Sequence, residues 1–275
     1  MIELSSDEAK RIALTAQGFA QSRPAKVGLA ALRRLIRRLH VLQLDPINVC
    51  VRAHYMPAFS RLGPYNRADL DKLAYDQHVM FEHIGHAASL IETELHPFVR
   101  WRMAPHPEGH RHRSPHLEKA LAEIAERGAL TPSELSFQER FEKDGGWRGS
   151  YGKWALSQLN RSGDVAVVGR RGIEQIYDLT ERVIPSQILE LPTPEANDAK
   201  AELLLRAAEA LGVATAKDLG STSCSRTSGR CSRASWMKAA SSSPTSKDGA
   251  GPRTSSLAPK PRPSIRPRSY RRSTP

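Results

Sequence analysis

Cysteine is scarce in this chain of 275 residues, which contains three. Cys224 and Cys231 lie near the C-terminus, so Cys50 is the one cysteine of the first 220 residues. A disulfide framework is therefore excluded for that part, which is typical of an intracellular protein. Long apolar runs are also missing: none approaches the ~18 residues of a membrane span, and the N-terminus lacks the basic and apolar regions of a signal peptide. We expect a cytoplasmic protein without membrane contact.

Acidic residues are almost absent from the C-terminal segment. Residues 221–275 contain twelve lysines and arginines against Asp248 alone, whereas residues 1–220 contain 29 basic and 28 acidic residues. Of the formal charge of +12, +11 therefore belongs to that segment and +1 to residues 1–220. Any nucleic-acid binding by the rest of the chain must depend on where individual charges are placed.

The same segment lacks periodic apolar residues. It contains fifteen serines and seven prolines, and such a composition cannot bury enough apolar surface to offset the entropy cost of ordering. We predict that 221–275 is a disordered basic tail, rich in Ser, Pro and Arg. Because the change in composition is abrupt, we interpret it as a frameshift in the coding sequence. The alternative is a native basic arm that binds DNA.

The first 220 residues show mainly helical periodicity, interrupted by a few short extended segments. The patterns divide them into a first unit (1–113), a second unit (114–192) and the beginning of a third unit (193–220). In the first unit, residues 81–95 predict an apolar helix. The period of residues 47–57 does not decide between helix and strand.

The second unit has the clearest pattern. A glycine-rich linker at 143–149 precedes its third helix, and the turn 169–172 joins its two strands. Three helices followed by a two-stranded wing indicate a winged helix, in which Lys153, Arg170 and Arg171 would contact a duplex. A protein-interaction or spacer module is the alternative. The predicted fold is mainly α with small β wings: tandem winged-helix units, the third incomplete. In order, the second unit is predicted to contain helices at 114–127, 131–137 and 151–161 and strands at 165–168 and 173–177.

One short extended pattern in the first unit carries candidate chemistry. Leu42 and Leu44 alternate with Gln43 and Asp45 before Pro46, so both leucines would face a core and both polar side chains would emerge on the opposite side. A carboxylate and a carboxamide held this way can orient and deprotonate one water molecule. The alternative is an exposed polar face, with Asp45 as a turn residue before proline.

Several short motifs together resemble those of the YcaQ-type winged-helix DNA glycosylases, over about residues 4–219. The resemblance implies tandem winged helices around a DNA-binding concavity and removal of alkylated, including crosslinked, bases from DNA. It places the family's catalytic motif on Gln43, Leu44 and Asp45, in the branch that has Asp in place of a second Gln. The family continues into a third winged unit and a C-terminal β-rich module, which are absent or scrambled here. The matching motifs are Ala9–Leu14, Ala16–Phe19, Leu42–Asp45, Arg52–Tyr55, Ser60–Tyr65, His86–Ser89, Arg100–Met103 and Tyr177–Pro185.

The residues fit the chemistry that the resemblance implies. A purine alkylated at N7 is positively charged and already a good leaving group, and the sugar gains oxocarbenium character as the glycosidic bond breaks. An ionised Asp45 would stabilise that cation and accept a proton from a water molecule that Gln43 holds in line. No lysine stands beside them to form a Schiff base. We therefore predict a monofunctional, water-using enzyme without a cofactor.

Other basic residues of the motifs are candidates for contacts to phosphates or to the lesion, with a buried structural role as the alternative. These are Arg52, His54, Arg61, His86, Arg100 and Arg102. Four histidines of a Pro/Gly-rich loop stand without cysteines or paired carboxylates, so we predict no metal site at His106, His110, His112 and His116.

The expected partner is double-stranded DNA with alkylated or crosslinked bases, bound by a monomer at the nucleoid. The alternative function is that of a winged-helix transcription regulator or architectural DNA binder without chemistry. A regulator would need no Gln/Asp pair and would bind a specific sequence, whereas a glycosylase should bind with little sequence preference.

Overall fold

The computed structural model describes residues 4–45, 50–85, 87–103, 114–143, 147–215 and 218–219. Over these residues the chain is mainly helical with small antiparallel sheets, as predicted. No helix among them is long and apolar enough to cross a membrane. The predicted tail begins at Ser221 and lies outside the described residues.

The helices and strands are numbered in chain order. The α-helices are α1 (Ser6–Ala16), α2 (Leu29–Leu39), α3 (Met56–Leu62), α4 (Arg67–Asp71), α5 (His96–Val99), α6 (Pro115–Arg127), α7 (Tyr151–Ser162), α8 (Thr180–Val183), α9 (Ser186–Leu189) and α10 (Ala196–Leu211). The strands are β1 (Val41–Gln43), β2 (Met80–Ile84), β3 (Ala88–Glu92), β4 (Arg140–Lys143), β5 (Trp147–Ser150), β6 (Val165–Arg171) and β7 (Glu174–Leu179). Short 3-10 helices cover Ala53–Tyr55, Thr93–Leu95, Arg100–Arg102 and Pro132–Glu134, and a π-helical turn covers Lys72–Asp76.

Residues 81–95, predicted as an apolar helix, form most of the β2–β3 hairpin instead, so that prediction was wrong. The hairpin closes where the Gly85 N–H donates to the carbonyl of Ala87 at 2.9 Å. Both of its faces contribute residues to buried clusters, so its strands lack polar alternation. A short apolar run of this kind does not distinguish a buried strand from a buried helix by its period.

The first unit is built on an antiparallel sheet in the order β1-β3-β2. One face places Leu42, Met80 and Leu90 in a core shared with Leu32 and Ile36 of α2. The other face packs against α5, α9 and α10 through a cluster that includes Phe81, Ile91, Val99, Ile188 and Leu203. Strand β1 is therefore an edge strand of a sheet that is covered on both sides.

In the second unit α6, α7, β6 and β7 follow in the predicted order, but the second helix, predicted at 131–137, is only the 3-10 turn Pro132–Glu134. Helices α6 and α7 and strands β6 and β7 share one core, which contains Ile124, Leu156 and Val165. The prediction of a linker at 143–149 was wrong in part, because strands β4 and β5 pair antiparallel there. The β6–β7 turn is also shorter than predicted.

The β6–β7 turn consists of Gly172 and Ile173, since Arg171 already pairs with Glu174. Gly172 has a φ of 66°, which only glycine adopts without strain and which suits the first residue of a two-residue hairpin turn. Arg170 and Arg171, predicted to lie in the turn, therefore lie in β6. This changes which way their side chains point.

Helix α10 lies within the range 193–220 of the third unit. Its Leu203 packs in the cluster beneath the first-unit sheet, and Gly212, just after the helix, lies against Ala16 and Ile12 of α1. By their contacts, all the described residues belong to one compact body, Met1–Ser241. The other body, Ser242–Pro275, lies outside the described residues. The boundaries predicted at 113/114 and 192/193 stay predictions.

Candidate active site

The segment around Gln43 and Asp45 has the alternation that the sequence predicted. Leu42 and Leu44 are 2% and 9% exposed and pack in the first-unit core, whereas Gln43 is exposed and Asp45 partly exposed. The Leu44 N–H donates to the carbonyl of Ala88 at 2.8 Å, so pairing continues past the end of β1. Both polar side chains therefore emerge on the side opposite the leucines.

Gln43 is the outermost member of a polar row across the sheet. It is paired with Ser89 of β3, and Ser89 is paired with His83 of β2. Ser89 and His83 are buried. Burial lowers the pKa of His83, and the charges of Arg102 and Arg161 lower it further, so the imidazole is neutral at neutral pH. Gln43 therefore has uncharged polar neighbours on β3 and β2, while its own side chain is exposed.

Arg52 connects the segment after the motif to the second unit. Its Nη2 donates to the carbonyl of Gly172, in the β6–β7 turn, at 2.7 Å. His54, two residues later, is 3% exposed. Burial and the charges of Arg170 and Arg52 hold its pKa at about 4. A buried, neutral histidine fits the structural alternative considered for His54.

Glu82 of β2 is the centre of a buried polar network. Its carboxylate accepts hydrogen bonds from Arg170 Nε and Nη2, each at 2.6 Å. It also accepts from the Tyr75 hydroxyl at 2.5 Å and from Gln175 Nε2 at 2.8 Å. Burial and the charge of Glu82 raise the pKa of Tyr75, so the phenol keeps its proton. Arg170 is thereby held by a contact inside the protein, and its predicted DNA contact stays a prediction.

Arg61 holds α3 against the end of α1. Its Nε donates to the Gln17 carbonyl at 2.6 Å, and its guanidinium lies over the ring of Phe19, 4.3 Å from the centroid. Burial lowers the pKa of Arg61 somewhat. These contacts supply the structural role that was the alternative to a DNA contact.

Arg100 and Arg102 also bind backbone carbonyls. Arg100 donates to the carbonyls of Ile188 and Leu191, both at 2.5 Å, and so holds the end of α9. Arg102 donates to the carbonyl of Gly85, at the β2–β3 turn, at 3.3 Å. Both arginines are only partly exposed. Their predicted DNA contacts stay predictions.

Among the described residues, two members of the predicted DNA-contact set are exposed. Lys153 lies on the outer side of α7. Arg171 forms an ion pair with Glu134 at 2.9 Å while its side chain stays 66% exposed. His86 lies outside the described residues.

The histidine-rich loop is described only at its end. His106, His110 and His112 lie outside the described residues. His116 stacks on Tyr151 with the ring centroids 4.2 Å apart and lies 3.3 Å from the carboxylate of Glu139. No group of three or more His, Cys, Asp or Glu in the described part of the chain could hold a metal ion.

Glu82, Tyr75 and Gln175 are site residues that the sequence motifs did not indicate. Residues 81–95 had been assigned to a helix, and the partners of Glu82 on β6 and β7 are 88 and 93 residues away along the chain. One signal was present in the sequence: Glu82 follows the apolar residues Val79, Met80 and Phe81 in a mainly apolar segment. A buried carboxylate needs a partner, so that run indicated a buried polar contact.

Comparison with known proteins gives a family and no structural match. No solved structure matches the chain. Residues 36–267 match the family described as DNA glycosylase AlkZ-like, which confirms the resemblance found in the short motifs. The matched range contains the Gln43–Asp45 motif and the Glu82 network, and it extends past Ser221 into residues that the structure does not describe. Since the match covers well over half of the 275 residues, the chain belongs to the AlkZ-like family of DNA glycosylases.

Proposed function

We propose that the protein is a monofunctional glycosylase that hydrolyses the N-glycosidic bond of alkylated bases in DNA. The observation that carries this proposal is the emergence of Gln43 and Asp45 from one side of an edge strand whose leucines are buried. Family membership supports a glycosylase reaction on DNA. The pair supplies what hydrolysis of a cationic nucleotide needs: a negative charge, a proton acceptor and a group that orients water.

In the proposed reaction the charged base leaves as the glycosidic bond breaks. The Asp45 carboxylate stabilises the positive charge that develops on the sugar, and it accepts a proton from the attacking water. The Gln43 amide holds that water by hydrogen bonds. The water oxygen forms the new bond to the anomeric carbon, and the base departs with the electrons of the broken bond. No lysine is needed, so no covalent intermediate with DNA forms.

The proposed substrates are N7-alkylpurines, including those in interstrand crosslinks. Such bases already carry positive charge and leave with little acid assistance, which suits a site that offers an acid anion and an amide. We further propose that tandem winged helices bind the duplex, that the third unit is incomplete, and that the protein acts as a cytoplasmic, nucleoid-associated monomer.

The segment after Ser221 is proposed to arise from a frameshift. Its composition changes abruptly, just after the helix α10 that would open a third unit. Translation of the coding DNA in the other two frames should restore the apolar periodicity of helices and a wing. If neither frame does so, the frameshift is rejected in favour of a native basic arm.

The reaction is tested by incubating the purified protein with duplex that carries N7-methylguanine, followed by alkaline cleavage of abasic sites. The wild-type protein should leave abasic sites, and borohydride should trap no covalent protein–DNA adduct. Asp45→Asn should abolish excision while duplex affinity changes less than about twofold. The matched control is Asp198→Asn, which alters an exposed aspartate of α10. Excision by Asp45→Asn at the wild-type rate would reject the assignment.

A further inference from the structure

The β6–β7 hairpin contacts the first unit through two residues, Arg52 and Glu82. The Gly172 carbonyl of its turn accepts a hydrogen bond from Arg52 at 2.7 Å, and Arg52 follows Asp45 by seven residues. Arg170 of β6 forms the two-point ion pair with Glu82 of β2. The hairpin therefore binds both the sheet that carries Gln43 and Arg52, which follows the motif in the chain.

The ion pair is linked to the motif through the register of the sheet. Glu82 is paired with Leu90, and Leu90 is paired with Leu42, the residue before Gln43. These three residues therefore form one row across β2, β3 and β1. A displacement of Glu82 would shift the row, because paired strands keep a fixed spacing of about 4.8 Å.

The network around Glu82 is suited to holding a fixed geometry. The carboxylate is 4% exposed and accepts four hydrogen bonds, from Arg170 twice, from Tyr75 and from Gln175. A two-point arginine–carboxylate pair fixes the orientation of both groups. Glu82 is too deeply buried to contact DNA or a lesion. Any effect it has on excision must act through the residues that it holds.

We propose that Arg52 and the Glu82–Arg170 pair are positioning residues, which use the β6–β7 hairpin to hold Gln43 and Asp45 in the geometry for hydrolysis. This inference rests on the proposed function of those two residues. It gives the hairpin a role other than reading DNA. Arg170 binds Glu82 inside the protein, and its predicted DNA contact stays a prediction.

The first test measures the single-turnover excision rate with protein in excess over N7-methylguanine duplex. Arg52→Ala and Glu82→Gln should lower this rate about 10- to 100-fold, since a misplacement of about 1 Å can cost about 100-fold. Duplex affinity of Glu82→Gln should stay within about twofold of wild type, because Glu82 does not reach DNA. Arg170→Lys, which keeps the charge but not the two-point geometry, should restore part of the rate that Arg170→Met loses.

A matched control separates positioning from a general loss of stability. Arg182→Ala removes another arginine that binds carbonyls of a neighbouring element, those of Ile124 and Ala125. It lies within the second unit, so its excision rate should equal that of wild type. Arg52→Ala with a wild-type rate, in protein that is folded by circular dichroism, would overturn the proposal.

A second measurement does not depend on activity. Amide hydrogen exchange of Leu44, whose N–H donates to Ala88, should be about tenfold faster in Arg52→Ala than in wild type or Arg182→Ala. If the wild-type protein excised no base, the proposed function would fail, and exchange would still decide whether the hairpin holds the segment. Unchanged exchange at Leu44 would overturn the positioning role by itself.

Discussion

Glu82 and Arg170 form a buried ion pair although 88 residues separate them in the chain, with both nitrogen–oxygen distances at 2.6 Å. The side chains are 4% and 21% exposed. Burial alone would lower the pKa of Arg170, but its hydrogen bonds to Glu82 and the charge of Glu82 raise it. The Arg170 guanidinium therefore keeps its charge, and removal of one partner should be felt as an unpaired buried group.

Removal of Arg170 alone should cost more stability than removal of the charge on both partners. Arg170→Met leaves the Glu82 carboxylate buried with two neutral donors, and we expect the free energy of unfolding to fall by about 3–5 kcal/mol. In the double variant Glu82→Gln/Arg170→Met no charge is left unpaired, so we expect about half of that loss or less. Urea denaturation of the two variants measures the difference. A double variant as unstable as Arg170→Met would show that the ionic interaction is not the cause.

Stability should also fall as the pH is lowered from about 6.5 to 4. Burial, followed by the charges of Arg170 and Arg52, lowers the pKa of His54 to about 4. The unfolded chain takes up this proton near pH 6.5 and the folded chain near pH 4, so the unfolded state binds more protons in between. The free energy of unfolding should therefore decrease by about 1.4 kcal/mol per pH unit for this residue. The stability that neutral His54 contributes to the folded state is fully present above pH 6.5 and is lost as the pH falls towards 4.

Urea denaturation at pH 7, 6 and 5 measures this pH dependence. His54→Phe keeps a ring in the same place and removes the titration, so its slope against pH should be smaller by about one proton. The absolute stability of the variant does not enter the comparison. A slope equal to that of wild type would mean that His54 becomes protonated without cost in the folded protein.

The parts of the site that the sequence predicted are those fixed by local pattern. Leu42 and Leu44 have to face the core, so the alternation alone places Gln43 and Asp45 on the other side. Helix ends were predictable for the same reason: the Ser5–Glu8 capping box and Gly163 at the end of α7 act within one helical turn. Such features need no knowledge of the rest of the fold.

The Glu82 network could not be predicted because it depends on contacts distant in sequence. The strand β2 that carries Glu82 was mistaken for a helix, since its apolar run has no distinctive period. Arg170 was placed in a turn because Gly169 and Gly172 bracket it. The pairing of Arg171 with Glu174 leaves only Gly172 and Ile173 for the turn. With Arg170 inside β6, its side chain meets Glu82 rather than solvent.

DNA affinity should depend on the exposed basic residues of the second unit. Lys153 is exposed on α7, and the Arg171 side chain is 66% exposed. Lys153→Ala and Arg171→Ala should each weaken binding to undamaged duplex, and each should reduce the slope of log affinity against log salt by about one. Fluorescence anisotropy at several salt concentrations measures both effects. An unchanged slope in both variants would exclude this face from the duplex interface.

Gln43 and Asp45 should not act independently if they serve one water molecule. Gln43→Ala should lower the single-turnover excision rate about 100-fold, because the water loses its orientation, whereas the exposed Gln21→Ala should have no effect. When two residues act as a unit, removal of the second costs little once the first is gone. Gln43→Ala/Asp45→Asn should therefore be no slower than Asp45→Asn alone. Rate losses that multiply in the double variant would mean that the two side chains contribute to separate steps, and that Gln43 does not orient the water that Asp45 deprotonates.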